Sequence, residues 1–445
     1  MAVKVEGLDV AYPALGREAV KGFSMRAEPG EIVLLAGPTG CGKSTALMAM
    51  AGIIPAVVHA EVRGAVRIGG LDPLASPVHE VARKVGLLFQ NVESQLFTAS
   101  VEDEVLLPLE FGAVRADDPF AAVDRALERF GLLDRRTQKV EALSSGYKQR
   151  LALASLHLDG KAVLLLDEPF SYLDPKAVEE FKGILKVLAA RGVAVVLAEH
   201  REDLALPLAD RVVRMDGGEA PPAVTPRASL ARNGTPPVLD TQGLGFSYGR
   251  TPVLHDVALQ AVQGECVCIV GENGCGKTTL CCLLAGAFAP GSGHVLVGGD
   301  RIDALKPAQR AGQVALALQN PDRQLFASTV RDEAGGERGR DVLGSLGLWD
   351  MRSRHPRSLS FGQKRRLTLA KLLARRPAVL VVDEPSVGQD GRNLASMFEV
   401  LGGYMDGGGV LVATTHDHRV TESLGGRILR MEAGGLRPVE KGVEA

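Results

Sequence analysis

The chain has 445 residues, 46% of them hydrophobic and 23% charged, which supplies buried cores and excludes wholesale disorder. Lys and Arg number 51 against 53 Asp and Glu, a formal charge of −2, so no global basic field exists to hold nucleic acid by counterion release. Six cysteines exclude a disulfide scaffold, and 52 glycines without a three-residue period exclude a collagen-like fibre.

Lys4 and Glu6 interrupt the opening stretch, and no apolar core of a secretory signal follows them. The short apolar run Ile32 to Ala36 predicts a buried parallel strand running into a glycine loop. That loop, Gly37-Pro-Thr-Gly40-Cys-Gly42-Lys43-Ser44-Thr45, matches G-x-x-x-x-G-K-[ST]. Behind it, Leu47, Met50 and Ile54 are expected on one face of a helix. The most membrane-like stretch, Ala46 to Val58, contains Gly52 and Pro55 and falls short of the roughly 20 apolar residues a span needs. It predicts a buried helix and its exit, and a soluble, cytosolic chain is expected. Val123, Leu127 and Phe130 repeat with helical period and stop at Gly131. Leu164-Leu-Leu-Asp167-Glu168-Pro169 reads as a strand ending in two carboxylates, and His200 closes the apolar run Val193 to Ala198.

From Asp216 to Pro237 the composition turns to Pro, Gly, Ala and Thr with little periodicity, a semi-extended linker that would let two halves meet. The preceding pattern then recurs. After the run Cys266 to Val270 comes Gly271-Glu-Asn-Gly274-Cys-Gly276-Lys277-Thr278-Thr279; Leu380-Val-Val-Asp383-Glu384-Pro385 repeats the acidic strand end, and His416 closes Val410 to Ala413. The glycine loop repeats at an offset of 234 residues (43 to 277) and the acidic pair at 216 (167 to 383), so the second copy has lost residues in its middle. Apolar runs alternating with amphipathic stretches are the α/β pattern. Domains are placed at 1–216 and 238–445, around a linker at 217–237.

Glycines at these spacings let backbone N–H groups turn inward around phosphate oxygens, and the helix N-terminus that follows adds partial positive charge. Lys43 and Lys277 would contact the β- and γ-phosphates of ATP, and Ser44 and Thr278 would ligate Mg²⁺. Asp167 and Asp383 would also hold Mg²⁺. Glu168 and Glu384, next in sequence, would point differently and polarise the attacking water.

Leu143-Ser144-Ser145-Gly146-Tyr147-Lys-Gln-Arg150 and Leu359-Ser360-Phe361-Gly362-Gln-Lys-Arg-Arg366 each precede Ala/Leu-rich helices and the Asp-Glu strands. They resemble the LSGGQ signature of ATP-binding-cassette (ABC) ATPases, and the resemblance covers nearly the whole chain, twice. It implies an α/β fold of two tandem P-loop NTPase domains. Each would have a mainly parallel sheet core, an antiparallel β part and a helical subdomain, shortened in the second copy. It further implies adenine stacking on Tyr12 and Tyr248, catalytic and Mg²⁺-contacting Q-loop residues Gln90 and Gln319, D-loop residues Asp174 and Asp390, and switch histidines His200 and His416. The family's active unit is a head-to-tail sandwich of cassettes. By that rule Ser360 and Gly362 would complete the site at Lys43, and Ser144 and Gly146 the site at Lys277. Ser145 and Phe361 depart from the signature's first glycine, Tyr147 from its glutamine, and Gln389 from the leucine before the D-loop. Bulky Phe361 makes the Lys43 site the expected slower one; both carboxylates and both histidines survive, so two hydrolytic sites are expected.

The stretches Gln90-Asn-Val-Glu-Ser-Gln-Leu-Phe97 and Gln319-Asn-Pro-Asp-Arg-Gln-Leu-Phe326, followed by Val101-Glu-Asp-Glu104 and Val330-Arg-Asp-Glu333, are similar to the ATPases of energy-coupling-factor (ECF) transporters, here with two subunits fused. This resemblance implies a transmembrane coupling protein docked beside each Q-loop, a membrane substrate-binding subunit, and a seat on the cytoplasmic face of a bacterial membrane. The cargo would be a vitamin, a vitamin precursor or a transition-metal ion. Two alternatives stand: the ATPase of another importer or exporter, which shares the catalytic motifs, and a soluble twin-cassette ATPase acting on ribosomes or nucleic acid. The second commonly carries a longer basic linker or metal modules; this linker is short and Pro-rich, no paired CxxC array is present, and no nucleic-acid partner is expected. Cys266, Cys268, Cys281 and Cys282 read as core packing, and Cys41 and Cys275 as thiol-sensitive loop positions.

Overall fold

The computed structural model describes residues 1–13, 17–38, 40–111, 118–158, 160–215 and 236–439. The expected linker lies outside the described residues except for Pro236 and Pro237. The chain divides into two compact units, Met1–Glu219 and Ala220–Ala445.

In the first unit five parallel strands lie in the order Val85–Leu88, Val163–Asp167, Ala194–Glu199, Ile32–Ala36 and Arg211–Arg214. The middle three are buried at every residue, and their Val, Leu, Ile and Ala content is continuous rather than alternating because both sheet faces are covered. One face packs on Leu151, Leu153, Phe170, Phe181 and Leu185. The other packs on the helix Lys43–Met50 and on an antiparallel sheet of Arg17–Ala27, Val3–Tyr12 and Glu61–Ile68. The parallel register sets Ala36 opposite Glu199 and Asp167 opposite Ala198, so the glycine loop, the acidic pair and His200 emerge together at the strand C-termini.

The helices Val101–Glu110 and Pro119–Arg129 pack against the helix Ser145–Leu156. Asp118 caps the second by accepting from Ala121 N–H, and Gly131 ends it in the left-handed region at φ 65°, as the periodicity predicts. One expectation is corrected. Ile54 does not share the helix with Leu47 and Met50, because the helix stops at Met50 and Gly52 turns the chain at φ 72°. Ile54 is nevertheless fully buried, reaching the same core from the turns beyond.

The second unit repeats this plan. Its larger sheet runs Val314–Ala317, Val379–Asp383, Val410–Thr415, Cys266–Val270, Arg427–Glu432 and Gly435–Pro438, the last strand antiparallel. Its antiparallel sheet contains Thr251–Ala261, Leu239–Tyr248, Ser292–Val297 and Asp300–Arg301. The helical part is reduced: Val330–Glu333 and Arg340–Ser345 stand where the first unit has its two longer helices. Among the described residues no helix is long and apolar enough to cross a membrane.

Candidate functional site

Each glycine loop leads from a buried strand into a helix. Gly42 and Gly276 stand at the helix N-cap with φ 102° and 110°. A Cβ at Gly42 would lie 2.2 Å from Ala19 O, so only glycine fits this turn. Gly37, Gly40, Gly271 and Gly274 complete the loops, and Lys43 and Lys277 open the helices. Both lysines are buried and fold back: Lys43 Nζ donates to Gly37 O (2.5 Å) and Pro38 O (3.0 Å), Lys277 Nζ to Gly271 O (2.7 Å) and Glu272 O (3.0 Å). Tyr12 and Tyr248 stand by the first turn, their hydroxyls 3.4 and 3.3 Å from Thr45 Oγ1 and Thr279 Oγ1. Tyr248 also packs edge-on against Phe246 and Phe288.

The acidic pairs are buried at the strand ends. Glu168 and Glu384 adopt φ 47° and 53°, left-handed values that cost a non-glycine residue about 1–3 kcal/mol. Each glutamate meets partners different from those of the preceding aspartate. Gln90 Nε2 donates to Glu168 Oε2 at 2.6 Å, Ser171 Oγ donates to the same oxygen at 3.2 Å, and His200 Nδ1 lies 3.4 Å from it. In the second unit His416 Nδ1 lies 3.0 Å from Glu384 Oε2, and Lys277 Nζ 4.0 Å from Oε1. Burial pushes both glutamates up, but the adjacent histidine and loop lysine together outweigh it and hold each carboxyl below its ordinary value. An ionised, buried carboxylate is the group needed to accept a proton from water.

The aspartates behave oppositely. Burial, reinforced by the neighbouring Glu168, pushes Asp167 up to about 7. Among the described residues its Oδ1 has no hydrogen-bond partner, and the Ser44 hydroxyl bonds to its carboxylate. Burial also raises Asp383, although Thr278 Oγ1 donates to its Oδ2 (2.8 Å) and Thr414 Oγ1 to its Oδ1 (2.5 Å). A buried carboxylate beside a loop hydroxyl suits a small hard cation that takes its remaining ligands from phosphate and water. Among the described residues no cluster of three His, Cys, Asp or Glu could hold a metal by itself. Cys266 and Cys268 lie buried with Sγ atoms 3.7 Å apart.

The Q-loop segments share one pair of internal clips. Gln95 bridges Phe89 N–H and Leu87 O, and Gln324 bridges Leu318 N–H and Leu316 O. Buried Glu104 accepts from Phe97 N–H, Thr98 N–H and Thr98 Oγ1; buried Glu333 accepts from Phe326 N–H and Ala327 N–H. The outcome is a phenylalanine held outward in each unit, Phe97 75% and Phe326 80% exposed.

Ser144 and Ser360 are the N-caps of the signature helices Ser145–Leu156 and Phe361–Leu373. Ser360 closes a capping box with Gln363; Ser144 makes no side-chain cap bond among the described residues, and Tyr147, in that glutamine's place, cannot return a side-chain bond to the Ser144 N–H and lies under the Arg135 guanidinium at 3.9 Å. Gly146 and Gly362 are buried in the first turn, and Gln389 Nε2 donates to Gly362 O at 2.9 Å. Asp174 and Asp390 cap the next helices by accepting from Ala177 and Asn393 N–H.

Within each unit the structure brings the glycine loop, the Q-loop, the acidic pair and the histidine to one edge of the parallel sheet. Four neighbours escaped sequence reasoning: Ser171, Thr414, Arg365 and Glu199. Glu199 is buried, raised above its ordinary value by burial, and 3.3 Å from His200 Nδ1. Comparing the copies at an offset of 216 exposes three of these as mismatches: Ala198 with Thr414, Glu199 with Thr415, and Gln149 with Arg365.

Comparison with known proteins places this geometry. The family model described as ABC transporter matches residues 20–171 and 254–387. Proteins named as ABC transporter ATP-binding proteins from Methanosarcina mazei and Methanosarcina acetivorans are 29% and 30% identical, covering 98% and 99% of this chain and 88% and 85% of their own. A solved chain from a model of ribosome-bound archaeal Pelota and ABCE1 aligns with a TM-score of 0.68 at 20% identity, over 93% of this chain and 75% of that one, a likeness of fold.

Proposed function

The chain belongs to the ABC transporter family, a twin-cassette ATPase working on ATP with Mg²⁺, and from that premise we propose that it is the energy-coupling subunit of an ECF-type importer. In this reading it drives uptake of a vitamin, vitamin precursor or transition-metal ion through a transmembrane coupling protein and a separate substrate-binding subunit, from the cytoplasmic face of the membrane. The observation that carries the proposal is the pair of outward phenylalanines beside the Q-loops, each fixed by a buried glutamate. Exposed aromatic side chains on a rigid support suit the docking of a partner helix, and they adjoin the segment that reaches the acidic site.

The glycine loops and helix N-termini would cradle the phosphates, with Lys43 and Lys277 exchanging loop carbonyls for phosphate oxygens. Ser44, Thr278, Asp167, Asp383, Gln90 and Gln319 would hold Mg²⁺, which neutralises phosphate charge when bound. Glu168 and Glu384 accept the proton of the attacking water, oriented by His200 and His416. The two cassettes would act as an intramolecular head-to-tail pair. Ser360 and Gly362 then serve the nucleotide at Lys43, the slower site because of Phe361, and Ser144 and Gly146 serve the one at Lys277.

The proposal is tested by affinity purification from solubilised membranes of the native host. The chain is expected to bring down a small polytopic membrane protein, and Phe97→Ala with Phe326→Ala to weaken that association at least about tenfold, the loss of roughly 1–2 kcal/mol per buried anchor. Recovery on ribosomes, or an association indifferent to both phenylalanines, would reject it.

A further inference from the structure

The two signature helices differ at one buried position. Arg365, 6% exposed, donates from Nη1 to Gln319 O (2.5 Å) and from Nη2 to Asp383 O (2.8 Å) and to Glu384 O. One guanidinium thereby joins the signature helix, the Q-loop and the end of the acidic strand. The corresponding residue of the first unit is Gln149, which follows Ser144 by five positions as Arg365 follows Ser360. Gln149 is 2% exposed, and among the described residues neither its Oε1 nor its Nε2 has a hydrogen-bond partner. The connection between Q-loop and carboxylate differs accordingly. In the first unit, among the described residues, it is one side-chain bond, Gln90 Nε2 to Glu168 Oε2. In the second, Glu384 is met by His416, and the Q-loop is gripped by its main chain.

We infer that Arg365 is a positioning residue of the second cassette, fastening the Q-loop backbone to the carbonyls of Asp383 and Glu384 so that the loop and the acidic pair move as one body. The planar fork of a guanidinium can serve several acceptors in fixed directions, which a glutamine or a lysine cannot. Buried and charged, it holds these carbonyls with stronger bonds than a neutral donor would, and releasing them would strand a charge in the interior. A displacement of the Q-loop at Gln319 therefore reaches Asp383 and Glu384 through backbone. In the first cassette it reaches Glu168 through one rotatable side chain. The two cassettes thus differ in how stiffly their Q-loops are coupled to hydrolysis. The inference rests on Asp383 and Glu384 belonging to the ATP site, and only its kinetic arm depends on that assignment.

Hydrogen–deuterium exchange of the full chain, read beside steady-state ATPase kinetics, tests it. Arg365→Gln is expected to speed amide exchange around Gln319 at least about tenfold, to leave the segment around Gln90 unchanged, and to lower kcat with KM held within about twofold; Arg365→Lys should not restore either. The reciprocal Gln149→Arg should slow exchange around Gln90 about tenfold, and it keeps the inference testable if Arg365→Gln does not fold. Unchanged exchange around Gln319 in folded Arg365→Gln, or around Gln90 in Gln149→Arg, overturns the staple. Faster exchange with an unaltered kcat overturns the positioning role. Both exchange changes in the variants of a chain whose wild type hydrolyses no ATP would indict the site assignment and leave the staple standing.

Discussion

Glu168 and Glu384 show what a single residue contributes. Both hold a left-handed backbone where glycine would be unstrained, and both spend that strain on aiming a carboxylate at a histidine and a loop lysine. Their backbone N–H groups bond to Ala198 O and Thr414 O of the neighbouring strand, which holds the twist in place. Glutamine keeps shape and hydrogen bonding but cannot take the proton. Glu168→Gln with Glu384→Gln should therefore retain ATP binding while steady-state phosphate release falls by at least about 10²-fold, a general-base loss; turnover near wild type in that double variant would discard both assignments. These residues were legible in the sequence because the chemistry is local: four or five contiguous residue types at a strand end. Thr414 and Arg365 were not, because each acts across a tertiary contact, and Glu199, bonded to the backbone N–H groups of His200 and Arg201, belongs to no recurring motif. Arg365 meets a carbonyl 46 residues away, and Thr414 an aspartate 31 residues away. Only the mismatch between two copies hints at them.

At the level of elements, the α/β alternation and the strand runs Ile32–Ala36 and Cys266–Val270 followed from apolar pattern, since a strand buried on both faces has no alternation to obscure it. Apolar spacing carries the helix after the first glycine loop on to Ile54, but it ends at Met50, because a buried residue in the turns that leave a helix matches the same pattern. The repeated Q-loop pattern was visible as a motif, but its physical content is a set of clips. Glu104 satisfies two backbone donors and one hydroxyl. Glu104→Ala should cost about 2–3 kcal/mol by leaving them unmet in a buried turn, and its proteolysis should begin near Phe97; denaturation and limited digestion would show this. A second tie joins the start of the strand Ile32–Ala36 to the edge strand beside it: Glu31 accepts from Arg211 Nε at 2.7 Å, and that bond lowers the Glu31 carboxyl below 4.5. A lowered carboxyl value stabilises the fold above the unfolded value and loses the contribution as pH falls through the folded one. Glu31→Gln should accordingly cost about 1 kcal/mol at pH 7 and progressively less below pH 4.5, read from paired melting curves. A penalty independent of pH would remove the charge from the explanation.

For the whole molecule, the two units are copies with unequal equipment. The first has the longer helical part, a second buried carboxylate beside its histidine and an idle Gln149; the second has a capped signature serine, a strand threonine, Thr414, on its aspartate and the arginine staple. Duplication preserves what every ATP-binding cassette needs and leaves the surroundings free to diverge. A fused pair with unlike Q-loop couplings suits a partner that presents a different surface to each half. The proposal that each half completes the other's nucleotide site is the claim on which this account turns. The measurement closest to it is a crystal structure of the Glu168→Gln, Glu384→Gln chain with Mg²⁺ and ATP. The account predicts Ser360 Oγ and Gly362 N–H on the γ-phosphate of the nucleotide at Lys43, and Ser144 and Gly146 on that at Lys277. Two nucleotides each enclosed by residues of their own half would contradict it.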